Sequence, residues 1–169
     1  MKRLLTVVFV MFCLLGFAAC DPQQNTIDGE VLLSKTTKIE LVYYENKNPK
    51  SVRVDGWRKP RFDFSKVTPI ATLDEALIET VVKDVAEGGY NYWGRAANEP
   101  IGKTMIMYQS DGNMLVLYGC AYKEEKGGTR YYGECCVFDA NGVFVEYIGD
   151  VGHTYVESLE AEYFKSDTE

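Results

Sequence analysis

The chain has 169 residues, of which 46% are hydrophobic and 25% are charged, a composition typical of one globular domain with a real core. It contains 18 basic and 25 acidic residues, and its formal net charge is −7. This excess of acid disfavours nucleic acid as a partner, because binding to phosphate depends on Lys and Arg. It also disfavours attraction of a basic surface to anionic lipid, so membrane attachment is expected to come from an acyl chain.

The first twenty residues have the layout of an export signal. Lys2 and Arg3 form a positive start, residues 4–15 are apolar, and residues 17–20 end in small side chains and a cysteine. A transmembrane helix needs roughly 20 apolar residues, and this run is shorter. We therefore expect a cleaved signal peptide rather than a membrane-spanning anchor.

The end of this signal, Phe17-Ala18-Ala19-Cys20, resembles the lipobox of bacterial lipoproteins. The usual form is Leu, a small residue, Gly or Ala, then Cys, so three of the four positions match and Phe17 replaces the Leu. The resemblance implies that Cys20 becomes the first residue of the mature protein and carries a covalent diacylglycerol. It implies an exported protein held on the bacterial cell membrane or outer membrane. We expect no cofactor besides this lipid. It covers residues 1–20 alone.

The mature chain begins with a polar stretch. Residues 21–30 lack hydrophobic periodicity and are expected to be a flexible tether, and residues 31–169 to form one domain. Alternation of side chains over residues 38–44 predicts a strand. Residues 51–54 are expected to pair back on it as a short second strand.

Residues 72–87 are the clearest helix. Thr72 and Glu75 have the spacing of a capping box, and Gly88-Gly89 provides the stop. Apolar residues recur every four positions on one side: Leu77, Val81 and Val85. A second capping box at Thr154 and Glu157, with apolar spacing that continues to residue 164, predicts a short C-terminal helix.

Four apolar runs, 103–110, 113–125, 129–139 and 143–149, predict an antiparallel meander. Asp111-Gly112, Gly127-Gly128 and Asn141-Gly142 suit two-residue hairpin turns, in which both central positions favour φ > 0. The predicted fold is therefore α+β: a four-stranded antiparallel meander packed by one main helix, with an N-terminal strand or hairpin and a short C-terminal helix. This order of elements is similar to that of cystatin-like folds, as an analogy of architecture alone.

Two-residue turns would make both faces of the meander apolar. One face would collect Ile106, Tyr108, Leu115, Leu117, Cys136, Phe138, Val145 and Tyr147. The other would collect Met105, Met107, Val116, Tyr118, Cys120, Cys135, Val137, Phe144 and Ile148. The main helix can cover one face, so the other is either covered by the C-terminal helix and residues 62–64 or binds a partner. The additional apolar segments of the chain favour cover by the chain itself.

The residue types that carry hydrolytic or metal chemistry are sparse. His153 is the only histidine, and there is neither a Cys-x-x-Cys motif nor a pair of histidines, so no metal site is expected. A small exported hydrolase would have to use His153 or the acidic residues; the simpler expectation is a surface residue before a helix. Cys120, Cys135 and Cys136 are expected to be free, mostly buried thiols.

An aromatic segment supplies the remaining indication of function. Tyr90, Tyr92, Trp93 and Arg95 are residue types that contribute disproportionately to binding surfaces, although such rings can also close one end of a sheet. The sequence therefore favours a membrane-anchored lipoprotein of the cell envelope whose non-catalytic domain binds a protein or a glycan. The alternatives are the hydrolase, or an inhibitory or structural module of the envelope.

The variant Cys20→Ser tests the anchor. It is expected to leave an uncut precursor or to release the protein from the membrane fraction, because serine has no thiol to acylate. Cell fractionation and the intact mass of the protein measure both outcomes, and Cys13→Ser, within the signal, is the matched control. If Cys20→Ser remained processed and membrane-bound like the wild type, Cys20 would not be the attachment residue.

Overall fold

The computed structural model describes residues 23–47, 51–53, 59–92, 96–123 and 129–164, with the backbone alone at residues 23, 51–53, 96–97, 120–123 and 129–131. These residues form an eight-stranded antiparallel sheet, a separate pair of short strands and three α-helices. The strands are β1 (Gln23–Asn25), β2 (Thr36–Tyr44), β3 (Ser51–Arg53), β4 (Val67–Thr72), β5 (Tyr90–Tyr92), β6 (Ala96–Asn98), β7 (Ile101–Gln109), β8 (Met114–Lys123), β9 (Thr129–Phe138) and β10 (Phe144–Val151). The helices are α1 (Gly29–Lys35), α2 (Ile78–Glu87) and α3 (Tyr155–Tyr163).

The predicted fold class, a four-stranded meander with one main helix, is wrong. The meander forms the middle of a larger sheet, whose strand order is β1-β5-β10-β9-β8-β7-β2-β4, and β3 pairs with β6 rather than with β2. The added strands include three-residue polar segments that show no alternation, and β4 contains Pro69, which is tolerated because β4 is an edge strand. These segments become strands through backbone pairing with neighbours distant in sequence.

The segment predicted to be a tether is one example. Three of its residues form β1, in which Gln23, Gln24 and Asn25 pair with Tyr92, Asn91 and Tyr90 of β5. The Asn25 side chain also donates a hydrogen bond of 2.5 Å to the carbonyl oxygen of Ile148 on β10. The ordered sheet therefore begins within residues 21–30.

Two of the three predicted hairpin turns have three residues instead of two, and the third, Gly127-Gly128, lies outside the described residues. At the β7–β8 turn, the Gln109 amide donates to the Asn113 carbonyl, and the Gly112 amide donates back to Gln109, at 2.9 and 3.0 Å. The β9–β10 turn repeats this pattern between Asp139 and Val143. Both turns end on a glycine with positive φ, 86° at Gly112 and 72° at Gly142, as expected for a type I turn followed by a left-handed residue.

The longer turn changes which side chains share a face. Tyr108 lies opposite Met114 rather than Leu115, and in the next hairpin Leu117, not Cys120, lies opposite Cys135. Because side chains alternate along a strand, a shift by an odd number of residues, here one and three, transfers them to the opposite face. The two predicted face lists therefore combine β7 with β9 correctly but assign β8 to the wrong faces. Leu115 and Leu117 share a face with Met105 and Met107, and Val116 and Tyr118 share one with Ile106.

Both faces of the sheet are nevertheless covered by the chain. The first face packs against the three helices and contains buried residues that include Ile39, Leu41, Met105, Met107, Leu115, Leu117 and Cys135. The second packs against the segment around Phe62 and contains Val42, Tyr44, Ile106, Val116, Tyr118, Cys136 and Phe138. Met107 and Val116 are both fully buried, on opposite faces, which excludes the middle of the sheet as a binding surface.

The main helix buries the predicted stripe but begins later. Val81, Val82 and Val85 are buried, whereas Leu77 is 36% exposed. Thr72 ends β4, and Asp74 caps the short 3₁₀ turn Glu75–Leu77 before α2 by accepting the Ala76 amide at 2.9 Å. The predicted capping box fails because pairing with Glu40 holds Thr72 in the sheet.

The C-terminal helix is present as α3, although the Thr154 side chain makes no cap hydrogen bond. Within the described ranges, every helix is too short or too polar to cross a bilayer.

Three variants separate the core contact of α2 from its cap. Val81→Asp is expected to unfold the domain, because it places a carboxylate without a partner in the core. Asp74→Ala should lower the free energy of unfolding by about 1 kcal/mol, and Thr72→Ala by less than about 0.5 kcal/mol. Urea denaturation of the protein without its signal measures all three, and equal losses for Asp74→Ala and Thr72→Ala would contradict the observed cap.

Candidate functional site

The structure places Tyr90 and Tyr92 of the predicted aromatic site in different surroundings. Tyr90 is fully buried, and its hydroxyl donates a hydrogen bond of 2.6 Å to the Val85 carbonyl at the end of α2. Burial raises its pKa well above the usual range. Tyr92 is partly exposed, with its ring 5.5 Å from that of Tyr147. Trp93 and Arg95 lie outside the described residues, so Tyr92 is the one predicted site residue seen at the surface.

A buried carboxylate organises the second face next to this segment. Glu134 on β9 is 2% exposed. One carboxylate oxygen accepts the backbone amide of Asn98 at 2.8 Å and lies 3.1 Å from the Tyr118 hydroxyl, while the other accepts the Asn98 side-chain amide at 2.5 Å. Hydrogen bonds to an ionised acceptor are stronger than neutral ones. Since Asn98 belongs to β6, Glu134 fastens the β3–β6 pair to the main sheet.

The Tyr118 hydroxyl connects this carboxylate to further polar atoms. It also lies 3.1 Å from the Asn98 carbonyl and 3.1 Å from the sulfur of Cys136. A hydroxyl has one proton to donate, and the carboxylate is the strongest acceptor among these atoms. Because Tyr118, Glu134 and Asn98 are all buried, these hydrogen bonds join β6, β8 and β9 inside the protein.

A second carboxylate, Asp150 of β10, lies directly across from Glu134 in the strand register. The Tyr147 hydroxyl donates to it at 2.5 Å. Burial raises the pKa of Asp150, and burial together with the bond to Asp150 raises that of Tyr147. Neighbouring carboxylates can serve proton transfer in enzymes. Here Glu134 is inaccessible and bonded to Asn98, so the arrangement is suited to holding strands together.

The structure also locates most of the other residues considered for catalysis or metal binding. His153 is exposed in the turn before α3, and no cluster of three metal-ligating side chains occurs among the residues described. Cys135 is a free thiol, fully buried, and burial raises its pKa, which makes it a poor nucleophile. Cys136 is buried beside Tyr118. Cys20 and the side chain of Cys120 lie outside the described part of the chain.

A surface groove, by contrast, combines an exposed ring with charged side chains. It is formed by the segment that crosses the second face, and Phe62 fixes that segment. Phe62 is 1% exposed, with ring centroids 5.1 Å from Tyr44 and 5.7 Å from Phe138. Its amide donates to the Gly142 carbonyl at 2.9 Å. A side chain at Gly142 would place Cβ 1.9 Å from the Phe62 carbonyl oxygen, so the close approach requires glycine.

Phe64 projects from this fixed base. It is 43% exposed, and its ring meets that of Phe62 edge-on at 5.3 Å. The groove beside it has a volume of about 470 Å³ and is lined by Arg61, Phe62, Asp63, Phe64, Ser65, Lys66, Glu99 and Asn141. The Asp63 carboxylate accepts from the amide and hydroxyl of Ser65, which hold its pKa below the usual range. We refer to this surface as the Phe64 groove.

The sequence predicted that residues 62–64 re-enter the core as a unit. Phe62 does so, but Asp63 caps a 3₁₀ turn that begins at Phe64. The Phe64 ring consequently stays at the surface, edge-on to buried Phe62. The alternation of Phe62 and Phe64 did not reveal this, because the cap depends on local hydrogen bonds to Ser65.

Comparison of the chain with models of known families, with curated proteins and with solved structures gave no match.

Removal of the buried carboxylate tests its structural role. Glu134→Ala leaves buried donors on Asn98 and Tyr118 and is expected to lower the free energy of unfolding by about 3 kcal/mol. The matched control is Glu146→Ala, an exposed residue on the neighbouring strand, with an expected effect of less than about 0.5 kcal/mol. Urea denaturation measures both, and hydrogen exchange at the Asn98 amide reports the contact locally. Equal, small losses would show that Glu134 does not hold β6.

Proposed function

We propose that this protein is a lipoprotein of the bacterial cell envelope, anchored through diacylglycerol on Cys20, whose domain binds a protein or a glycan without catalysis. The observation that carries the binding function is the exposed Phe64 ring on its fixed base of buried Phe62. The anchor is supported by the lipobox-like end of the signal, Phe17-Ala18-Ala19-Cys20.

The Phe64 ring is held in position by its neighbour Phe62, as expected of a binding contact. Phe62 packs against it, so little side-chain freedom remains to be lost when a ligand covers the ring. Burial of an exposed aromatic side chain is among the largest contributions to protein–protein affinity. Phe64 therefore supplies the apolar centre of the proposed site.

The rim of the groove carries charges of both signs. Arg61 and Lys66 provide cations, and Asp63 and Glu99 provide carboxylates. Arginine beside an aromatic ring is typical of contact residues in interfaces, and mixed charges around an apolar centre select the orientation of a partner. This composition favours a protein segment over a neutral glycan as the ligand.

A photo-crosslinking amino acid in place of Phe64 tests the proposal in the cells that naturally produce the protein. We expect a discrete crosslinked adduct at this position, and mass spectrometry of the adduct distinguishes a protein from a glycan. The matched control is the same substitution at Ile70, which is 48% exposed on the edge strand β4. Addition of Arg61→Glu, which reverses a rim charge, should reduce the Phe64 adduct. Equal adducts at positions 64 and 70 would exclude the groove as the binding site.

A further inference from the structure

The start of the ordered sheet determines how far the domain can lie from its anchor. Two residues, Asp21 and Pro22, separate Cys20 from Gln23, and Gln23 is already paired in β1. Three residue steps of fully extended chain span at most about 11 Å. A flexible tether over residues 21–30 would instead have allowed the domain to turn any face towards the lipid.

The strand at the end of this short link is tied to the sheet in two ways. All three residues of β1 pair with β5, and the Asn25 side chain bonds to the Ile148 carbonyl on β10. Release of β1 to lengthen the link would break these contacts. The anchor therefore acts on the corner of the sheet formed by β1, β5 and the end of β10.

Tyr92 lies at this corner. It is directly across from Gln23, and facing residues in antiparallel strands are about 5 Å apart, so the Tyr92 backbone is within about 16 Å of Cys20. The headgroup layer on one side of a bilayer is roughly 5–8 Å thick, which is within that reach. Its partly exposed phenol combines an apolar ring with a polar hydroxyl, the combination enriched at membrane interfaces.

The paired strands of this corner are uncharged, which permits their approach to the membrane. The six residues of β1 and β5 are Gln, Gln, Asn, Tyr, Asn and Tyr, all uncharged, in a chain with 25 acidic residues. Asp21 adds one charge in the link. The nearest described carboxylate on the paired strand is Asp150, opposite Asn91, and it accepts the Tyr147 hydroxyl. The paired strands themselves therefore add no repulsion from anionic lipid.

We infer that the short link holds the β1–β5 corner against the membrane, with Tyr92 among the lipid headgroups. This rests on the proposed acylation of Cys20 and adds an orientation to it. The Asn141 side of the Phe64 groove lies at the opposite end of β10, an eight-residue strand roughly 20–25 Å long. The corner thus contacts lipid while that side of the groove is held away from the bilayer.

Lipid crosslinking of the full acylated protein tests the orientation. A photo-crosslinking amino acid replaces Tyr92, Gln24 or Ala140, and the protein is reconstituted in vesicles of phosphatidylethanolamine and phosphatidylglycerol. Tyr92 and the exposed Gln24 probe the corner, and exposed Ala140, in the β9–β10 turn, is the matched distal control. We expect several-fold more lipid adduct at positions 92 and 24 than at 140. The second corner probe keeps the test valid if the Tyr92 variant does not fold.

Lengthening the link between Cys20 and β1 tests whether the short link produces this orientation. A Gly-Ser insertion of about twelve residues between Pro22 and Gln23 has a root-mean-square span of roughly 17–21 Å and should reduce the adduct at position 92 towards that at 140. An undiminished adduct after insertion would overturn the role of the short link. Equal lipid adducts at 92 and 140, or protein adducts alone at 92, would overturn the orientation.

The intact mass separates these results from failure of the anchor. Acylated protein with equal adducts contradicts the orientation alone. Absence of the acyl mass, with membrane association unchanged in Cys20→Ser, contradicts the proposed anchor itself and with it this inference.

Discussion

The apolar character of both faces of the meander is the constraint on which the rest of the structure depends. Water is excluded from such a sheet only if other parts of the chain cover both sides. The helices cover one face, α2 through Val81, Val82 and Val85, and the segment around Phe62 covers the other. The result is a sheet whose centre is inaccessible, so that contact with partners is confined to its ends, its edges and the segments that cross it.

The segment around Phe62 both covers the second face of the sheet and forms the proposed binding groove. Phe62 is buried against Tyr44 and Phe138, and its amide is bonded to Gly142, which leaves the following residues fixed at the surface. Glu134 performs a related task nearby by holding β6 through Asn98. Both contacts hold surface segments against the sheet. Phe64 is consequently presented on a rigid base, which is the physical ground for assigning a binding function to it.

The proposed anchor and the fold would be coupled, because Gln23 of β1 is only three residues from Cys20. An acyl chain alone would attach a domain without orienting it. With Cys20 acylated as proposed, the pairing of Gln23 with Tyr92 would constrain which corner of the sheet meets the lipid. The uncharged composition of β1 and β5 is consistent with that position in an otherwise acidic protein. The proposed binding groove and the proposed membrane contact therefore lie in different regions of the domain.

The sequence by itself determined the four long strands, the buried stripe of α2 and the C-terminal helix, because these segments carry strong periodicity over many residues. The export signal stays a prediction, made from local features of residues 1–20. The tertiary structure alone decided the eight-stranded topology, since β1 and β5 are three-residue polar segments that become strands only through pairing between distant parts of the chain. Register was likewise decided by structure: Ser110-Asp111-Gly112 and Ala140-Asn141-Gly142 form three-residue turns, and one additional residue reverses which side chains share a face. Phe64 is exposed beside buried Phe62 because Asp63 caps a 3₁₀ turn that begins at Phe64. The alternation of hydrophobic residues does not predict this turn.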